Sequence, residues 1–163
     1  MTDSQTRFDV SIIMGSTSDL PLMGEATKVL DQFSVSYDVQ VLSAHRSPNK
    51  LRQYLATLSE RGVRVVIAGA GMSAHLAGVV AAEVVIPVIA VPLPGSPLQG
   101  FDSLFSMVQM PGGVPVATMG VGKSGARNAA ILAAQILGLS DAALHQRLRD
   151  FKAAEEARYE IQS

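Results

Sequence analysis

The feature that most constrains this chain is a long stretch with almost no charge. Between Arg64 and Lys123 lie 58 residues, and only Glu83 and Asp102 among them are formally charged. A chain of 163 residues fits one domain, whose high surface-to-volume ratio calls for a polar shell. This middle lacks one. A membrane would hide it, and so would contacts with other subunits. The membrane fails on content. Residues 65–82 and 84–101 are uncharged runs of 18, but the first holds Gly69, Gly71, Gly78 and His75, and the second Pro87, Pro92, Pro94 and Pro97. No lone spanning helix tolerates such a set. The whole chain is 17% charged and 48% hydrophobic, with 21 alanines and 14 glycines, where soluble domains average roughly 25% charged. A homo-oligomer is therefore expected.

Charge and cysteine content narrow the function further. Lys plus Arg is 13 and Asp plus Glu is 14, a formal net charge of -1, which excludes a nucleic-acid binder working through a basic face. With no Cys there are no disulfides, thiolate nucleophiles or zinc-thiolate sites. Residues 1–5 show no basic segment followed by an apolar one, so a cytoplasmic protein without a secretory signal is expected.

Short β-branched runs alternate with helical stretches, the pattern of an α/β fold with a parallel sheet. Strands are expected at residues 8–14, 35–42, 63–68, 87–91 and 114–119. Ser18 or Asp19 is expected to cap a helix reaching about residue 33. Ser47-Pro48 reads as an N-cap with Pro at the first helical position, opening a helix that stops near Gly62. Further helices are expected at 73–84, 102–109 and 123–137, and a charged C-terminal helix at about 141–160. The run 63–68 is apolar throughout, as a strand covered on both faces should be. The simplest topology is a three-layer, doubly wound, flavodoxin-like parallel sheet of about five strands with an extra C-terminal helix. It forms a single catalytic domain over 1–163, with a core at about 8–139 and the last helix packing on a neighbouring subunit.

In such sheets ligands bind beyond the carboxyl ends of the strands, and the unusual residues of this chain follow them. After the first strand come Gly15-Ser16-Thr17-Ser18-Asp19, whose hydroxyls and free N–H groups suit a phosphate or, equally, ordinary capping. After the second come Ser43-Ala44-His45-Arg46: an imidazole able to exchange protons near neutral pH beside a guanidinium able to hold a phosphate. After the third come Gly69-Ala70-Gly71-Met72-Ser73-Ala74-His75. This loop fits a dinucleotide fingerprint but follows the wrong strand, so close backbone approach to a smaller ligand is the better reading. His75, expected one turn into the helix, is equally a structural or a catalytic histidine. Gly122-Lys123-Ser124 lacks the first glycine of a P-loop, because Ala117 stands there. The scattered methionines read as packing, and His145 as part of a solvated face.

These motifs occur in a recognisable order. Gly15-Ser16-x-Ser18-Asp19, Ser43-Ala44-His45-Arg46-x-Pro48, Gly69-Ala70-Gly71 with Ala74-His75-Leu76, and Asp102-Ser103-Leu104 with Val108-Gln109-Met110-Pro111 come first. Gly122-Lys123-x-Gly125-Ala126, Asn128-Ala129 and residues 132–137 follow. Over residues 10–139 the chain resembles the 5-(carboxyamino)imidazole ribonucleotide mutase family of de novo purine synthesis (PurE).

The resemblance implies an isomerase with no cofactor and no metal. It would move a carboxylate from the exocyclic nitrogen of an aminoimidazole ribonucleotide to ring carbon 4, in a homo-octamer with active sites at subunit contacts. It implies His45 as general acid and base, and Ser16, Ser43 and Arg46 on the 5′-phosphate. Asp19 would hold the ribose hydroxyls, with Gly71, Ser73, His75 and Leu76 around the substrate. Arg46 after His45 resembles the mutase class, whereas the related carboxylase class, using free carbon dioxide, typically has Lys there. The chain departs from the family pattern at Met72 and Ala77, where Gly and Pro are usual. The alternatives are that carboxylase reaction and a non-catalytic flavodoxin-like nucleotide-binding module.

Overall fold

A computed structural model describes residues 7–159. Five parallel strands, β1 (Val10–Met14), β2 (Tyr37–Val41), β3 (Val65–Gly71), β4 (Val88–Leu93) and β5 (Ala117–Thr118), alternate with α1 (Leu20–Gln32), α2 (Pro48–Thr57), α3 (Leu76–Glu83), α4 (Phe101–Val108) and α5 (Lys123–Gly138). A last helix, α6 (Ala142–Ala157), follows. The strand order β2-β1-β3-β4-β5 is the flavodoxin-like doubly wound arrangement, with its switch point between β1 and β3.

The alternation of side chains along each strand builds two cores. Val10, Ile12 and Met14 face one way with Val65, Ile67, Ile89 and Val91, under α1, α5 and α6. Ile13, Val66, Ala68 and Ala90 face the other way, under α2, α3 and α4. All of β3 up to Ala70 is buried, as its unbroken apolar run predicts. On the first face alanines at 126, 129, 130, 133 and 134 are fully buried, letting α5 lie close on the sheet and on α1. The last helix packs on its own chain: Leu144 and Leu148 join that core, Phe151 meets Phe33 edge-on at 5.3 Å, and Arg147 donates to the Phe33 carbonyl at 3.0 Å. Its expected end at Glu160 lies outside the described residues.

A buried polar knot sits at the amino ends of the strands, far from the loops of interest. Asp38 accepts from Tyr54 Oη at 2.8 Å and from Arg61 Nη2 at 2.7 Å, and Ser11 Oγ lies 2.6 Å from the same Tyr54 oxygen. Burial, with the Asp38 carboxylate adjacent, pushes the Tyr54 hydroxyl up to about 12. The knot ties α2 to β1 and β2.

Several boundaries differ from expectation. The fifth strand is two residues, not six, because Pro115 cannot donate to a ladder and only Ala117 and Thr118 pair with β4. The third strand runs on to Gly71, so the glycines read as a loop belong to the sheet. Helix α3 starts at Leu76, after a left-handed turn at Met72 (φ 57°), which moves His75 from inside the helix to its N-cap. The first helix is preceded by a 3-10 turn, Thr17–Asp19, whose own cap is Ser16. Asp19 stands at the N-cap position of α1 as expected, but its carboxylate accepts from the Ser16 N–H instead of from the helix. Ser47 stands at the N-cap of α2, where its carbonyl accepts from the Leu51 N–H but its side chain makes no cap bond.

Candidate active site

The carboxyl ends of β1, β2 and β3 carry three loops that bond to one another. In the first, Ser16 forms a capping box: its Oγ accepts from the Ser18 N–H at 3.3 Å, and its own N–H donates to Asp19 Oδ2 at 3.1 Å. Ser18 Oγ also donates to Ser16 Oγ at 2.8 Å. Burial raises the Asp19 pKa, against the lowering effects of the Ser16 N–H and the nearby Arg46 guanidinium.

The second loop is closed by its own serines. Ser47 Oγ accepts from the Ser43 N–H at 3.0 Å and donates to the Ser43 carbonyl at 3.1 Å, which is why it leaves α2 uncapped. Ser43 Oγ in turn accepts from the Arg46 N–H at 3.1 Å and from Arg46 Nε at 3.4 Å. The Arg46 guanidinium then reaches across to the first loop, donating from Nη2 to the Gly15 carbonyl at 2.9 Å. Ser16, Asp19, Ser43 and Arg46, separate in sequence, form one polar cluster.

The third loop brings the two histidines together. His45 Nε2 lies 2.8 Å from His75 Nδ1, the rings edge to face with centroids 5.0 Å apart. Both side chains are exposed. A single proton occupies that contact, so the tautomers of the two rings are linked. Gly71 lies at the end of β3, where an added Cβ would come within 3.2 Å of the Leu93 carbonyl. Its smallness thus serves the approach of β4. Ser73 is exposed, and its carbonyl accepts from the His75 N–H at 2.8 Å. Leu76 is 3% exposed and packs in the core, leaving its backbone N–H, at the first position of α3, as the group free to meet a ligand.

The other side of the rim was only partly legible in the sequence. Residues 92–100 and 120–125 lock onto each other: the Gly122 N–H donates to the Pro92 carbonyl at 2.8 Å, and a Cβ on Gly100 would meet Val121 at 2.6 Å. A Cβ on Gly125 would strike the Gly120 carbonyl. The spacing Gly120-x-Gly122-x-x-Gly125 is the signal for this closeness. Among the described residues no group of three or more His, Asp or Glu side chains converges as a metal site.

Comparison with known proteins decides the family. The AIR carboxylase family profile matches residues 9–158. The chain belongs to the AIR carboxylase family. Named relatives in this family include the N5-carboxyaminoimidazole ribonucleotide mutase of Bacillus subtilis, 54% identical over 85% of this chain and 86% of that protein. The protein of the same name from Pyrococcus abyssi is 53% identical over 88% and 81%, and that of Escherichia coli K12 49% identical over 90% and 86%. Among solved structures, Treponema denticola PurE superposes with a TM-score of 0.83 at 28% identity, covering 91% of this chain and 92% of that one. The fold of that structure is thus shared across nearly the whole chain.

Proposed function

We propose that this chain is an N5-carboxyaminoimidazole ribonucleotide mutase of purine biosynthesis, an isomerase that moves a carboxylate from the exocyclic nitrogen to ring carbon 4. The names of its relatives support the reaction, and the 2.8 Å contact between His45 and His75 is the observation that carries the mechanism. Nitrogen must gain a proton for its bond to the carboxylate to break and release carbon dioxide. Ring carbon 4 then attacks the carbon dioxide, and the proton on carbon 4 must leave to restore aromaticity. One group that gives and then takes a proton completes the cycle with no net change.

The paired rings suit that demand. With the shared proton on His75 Nδ1, His45 Nε2 is the acceptor, and His45 Nδ1–H is an acid. With the proton on His45 Nε2, His45 Nδ1 is a base and His75 Nε2–H a donor. As His45 Nδ1–H gives its proton to the substrate nitrogen, the shared proton crosses to His45 Nε2 and His75 Nε2 takes one from solvent, which leaves both rings neutral and His45 Nδ1 as the base. When that base takes the carbon 4 proton, the same transfers run in reverse and the His75 Nε2 proton returns to solvent. Arg46, Ser43 and Ser16 take the 5′-phosphate, which displaces Arg46 from the Gly15 carbonyl, and Asp19 takes the ribose hydroxyls. Gly71, Ser73 and the backbone of Leu76 border the ring.

The test is His45→Gln. Nucleotide binding, followed by titration calorimetry, stays near wild type, while turnover of the carbamate falls about 10²–10⁴-fold. Near-normal turnover overturns the mechanism. Assaying the wild type on the decarboxylated ribonucleotide plus bicarbonate separates the mutase from the carboxylase reaction: efficient turnover of that pair alone overturns the mutase reading. We further read the chain as a cytoplasmic homo-octamer with sites completed at subunit contacts. Exposed Leu98, Phe101, Phe105 and Val108, apolar side chains in the charge-poor middle, support an assembly.

A further inference from the structure

Three described residues other than glycine hold a positive φ: Ser34, Met72 and Gln99. Ser34 has an ordinary explanation, because it ends α1 in the left-handed turn that lets the Val35 N–H reach the Leu30 carbonyl at 2.9 Å. The other two lie on the carboxyl rim. Met72, at φ 57°, takes a conformation that a side chain with a Cβ adopts reluctantly. It is also 63% exposed, so the chain gains little apolar burial from it. Two unfavourable features coincide at one residue, three positions before His75, whose ring touches His45.

The turn is held from both sides. Gly71 is paired with Leu93 at the end of β3, and the His75 N–H is bonded to the Ser73 carbonyl, so the chain must reverse at Met72. Strain that persists under such constraint gathers at ligand sites. Glycine would make this turn without strain, so the turn alone does not account for the methionine.

We propose that Met72 covers the flat ring of the bound ribonucleotide and retains carbon dioxide beside it. This rests on the mutase reading above. The thioether is unbranched and adaptable, and sulfur against an aromatic face is a favourable contact. Once the carbon–nitrogen bond breaks, free carbon dioxide is apolar and uncharged, and only enclosure keeps it within reach of ring carbon 4. Its escape leaves the decarboxylated aminoimidazole ribonucleotide as product, with the donated proton on nitrogen. An apolar cover over the ring favours the carbon–carbon bond instead.

The experiment is a partition measurement on the full chain, with the carbamate as substrate and spontaneous decarboxylation subtracted. Met72→Gly is expected to melt no lower than wild type, to raise KM about two- to tenfold, and to release a clear fraction of decarboxylated ribonucleotide where wild type releases little. Met72→Leu, with a similar apolar volume, restores the wild-type partition. Met72→Gly with unchanged partition overturns the inference while leaving the mutase reading intact. A wild-type chain that does not turn over the carbamate overturns the reading itself and the inference with it.

Discussion

Arg46 makes its two side-chain contacts at once, to Ser43 Oγ and to the Gly15 carbonyl, and both ends of that bridge belong to loops proposed to take the phosphate. Removing the guanidinium therefore removes a phosphate ligand and the tie between the loops. A charge-assisted hydrogen bond is worth about 1.5–3 kcal/mol, and the exposure of Arg46 places it toward the lower end. Arg46→Ala is expected to raise KM about tenfold with a smaller change in kcat. Steady-state kinetics checks this, and an unchanged KM contradicts the role. At this scale His45, Arg46, Ser43 and Asp19 are legible in the sequence, because polar residues concentrated after apolar strands have few structural duties there. The pairing of His75 with His45 is not legible. It depends on where α3 begins, and that start is displaced by the left-handed backbone of Met72, a dihedral that residue identity argues against.

Between elements, the packing of α1 on α5 is closed by one carboxylate. Glu25 of α1 is 7% exposed. It meets Lys28 at 2.7 Å, and Lys123 and Arg127 from the first turns of α5 each at 3.8 Å. The hydrogen bond from Lys28, aided by the two α5 cations, holds the Glu25 pKa below its ordinary value. A carboxylate with a depressed folded pKa contributes stability that is complete above the unfolded pKa of about 4.3 and is lost as pH falls through the folded value. Melting temperature should thus fall more steeply below pH ~4.3 in wild type than in Glu25→Gln, while near pH 7 the variant melts lower. Parallel acid limbs in a thermal-melt series would show that the Glu25 carboxylate adds no stability. The elements themselves are legible wherever β-branched runs and helical stretches alternate, and both faces of β3 are covered as its apolar run requires. The short β5 escapes notice because Val114, Val116 and Met119 read as strand, whereas Pro115 and the preceding Gly112-Gly113 leave only two residues able to pair.

Across the whole molecule, the low charge of the middle segment resolves into two uses. Part of it is the buried double core of β3, β4 and α3. The rest stays outside: Phe101 and Phe105 stack with centroids 6.3 Å apart on the outer side of α4, and Phe105 is 64% exposed. Phe105→Glu should leave the fold intact, since that ring buries little within the chain, yet reduce the mass seen by light scattering. A wild-type mass of one chain would remove the assembly altogether. The stacking of α1 on α5 has a further consequence, for the growing chain. The two helices are separated by the 90 residues from Phe33 to Gly122, so at translation rates of about 5–20 residues per second α1 is made roughly 5–20 s before its partner. Through that interval the sheet can assemble strand by strand while the core it shares with α1 still lacks Ala126, Ala129, Ala130, Ala133 and Ala134 of α5. The nascent protein therefore carries its greatest risk of sticking on the sheet face that α5 comes to cover.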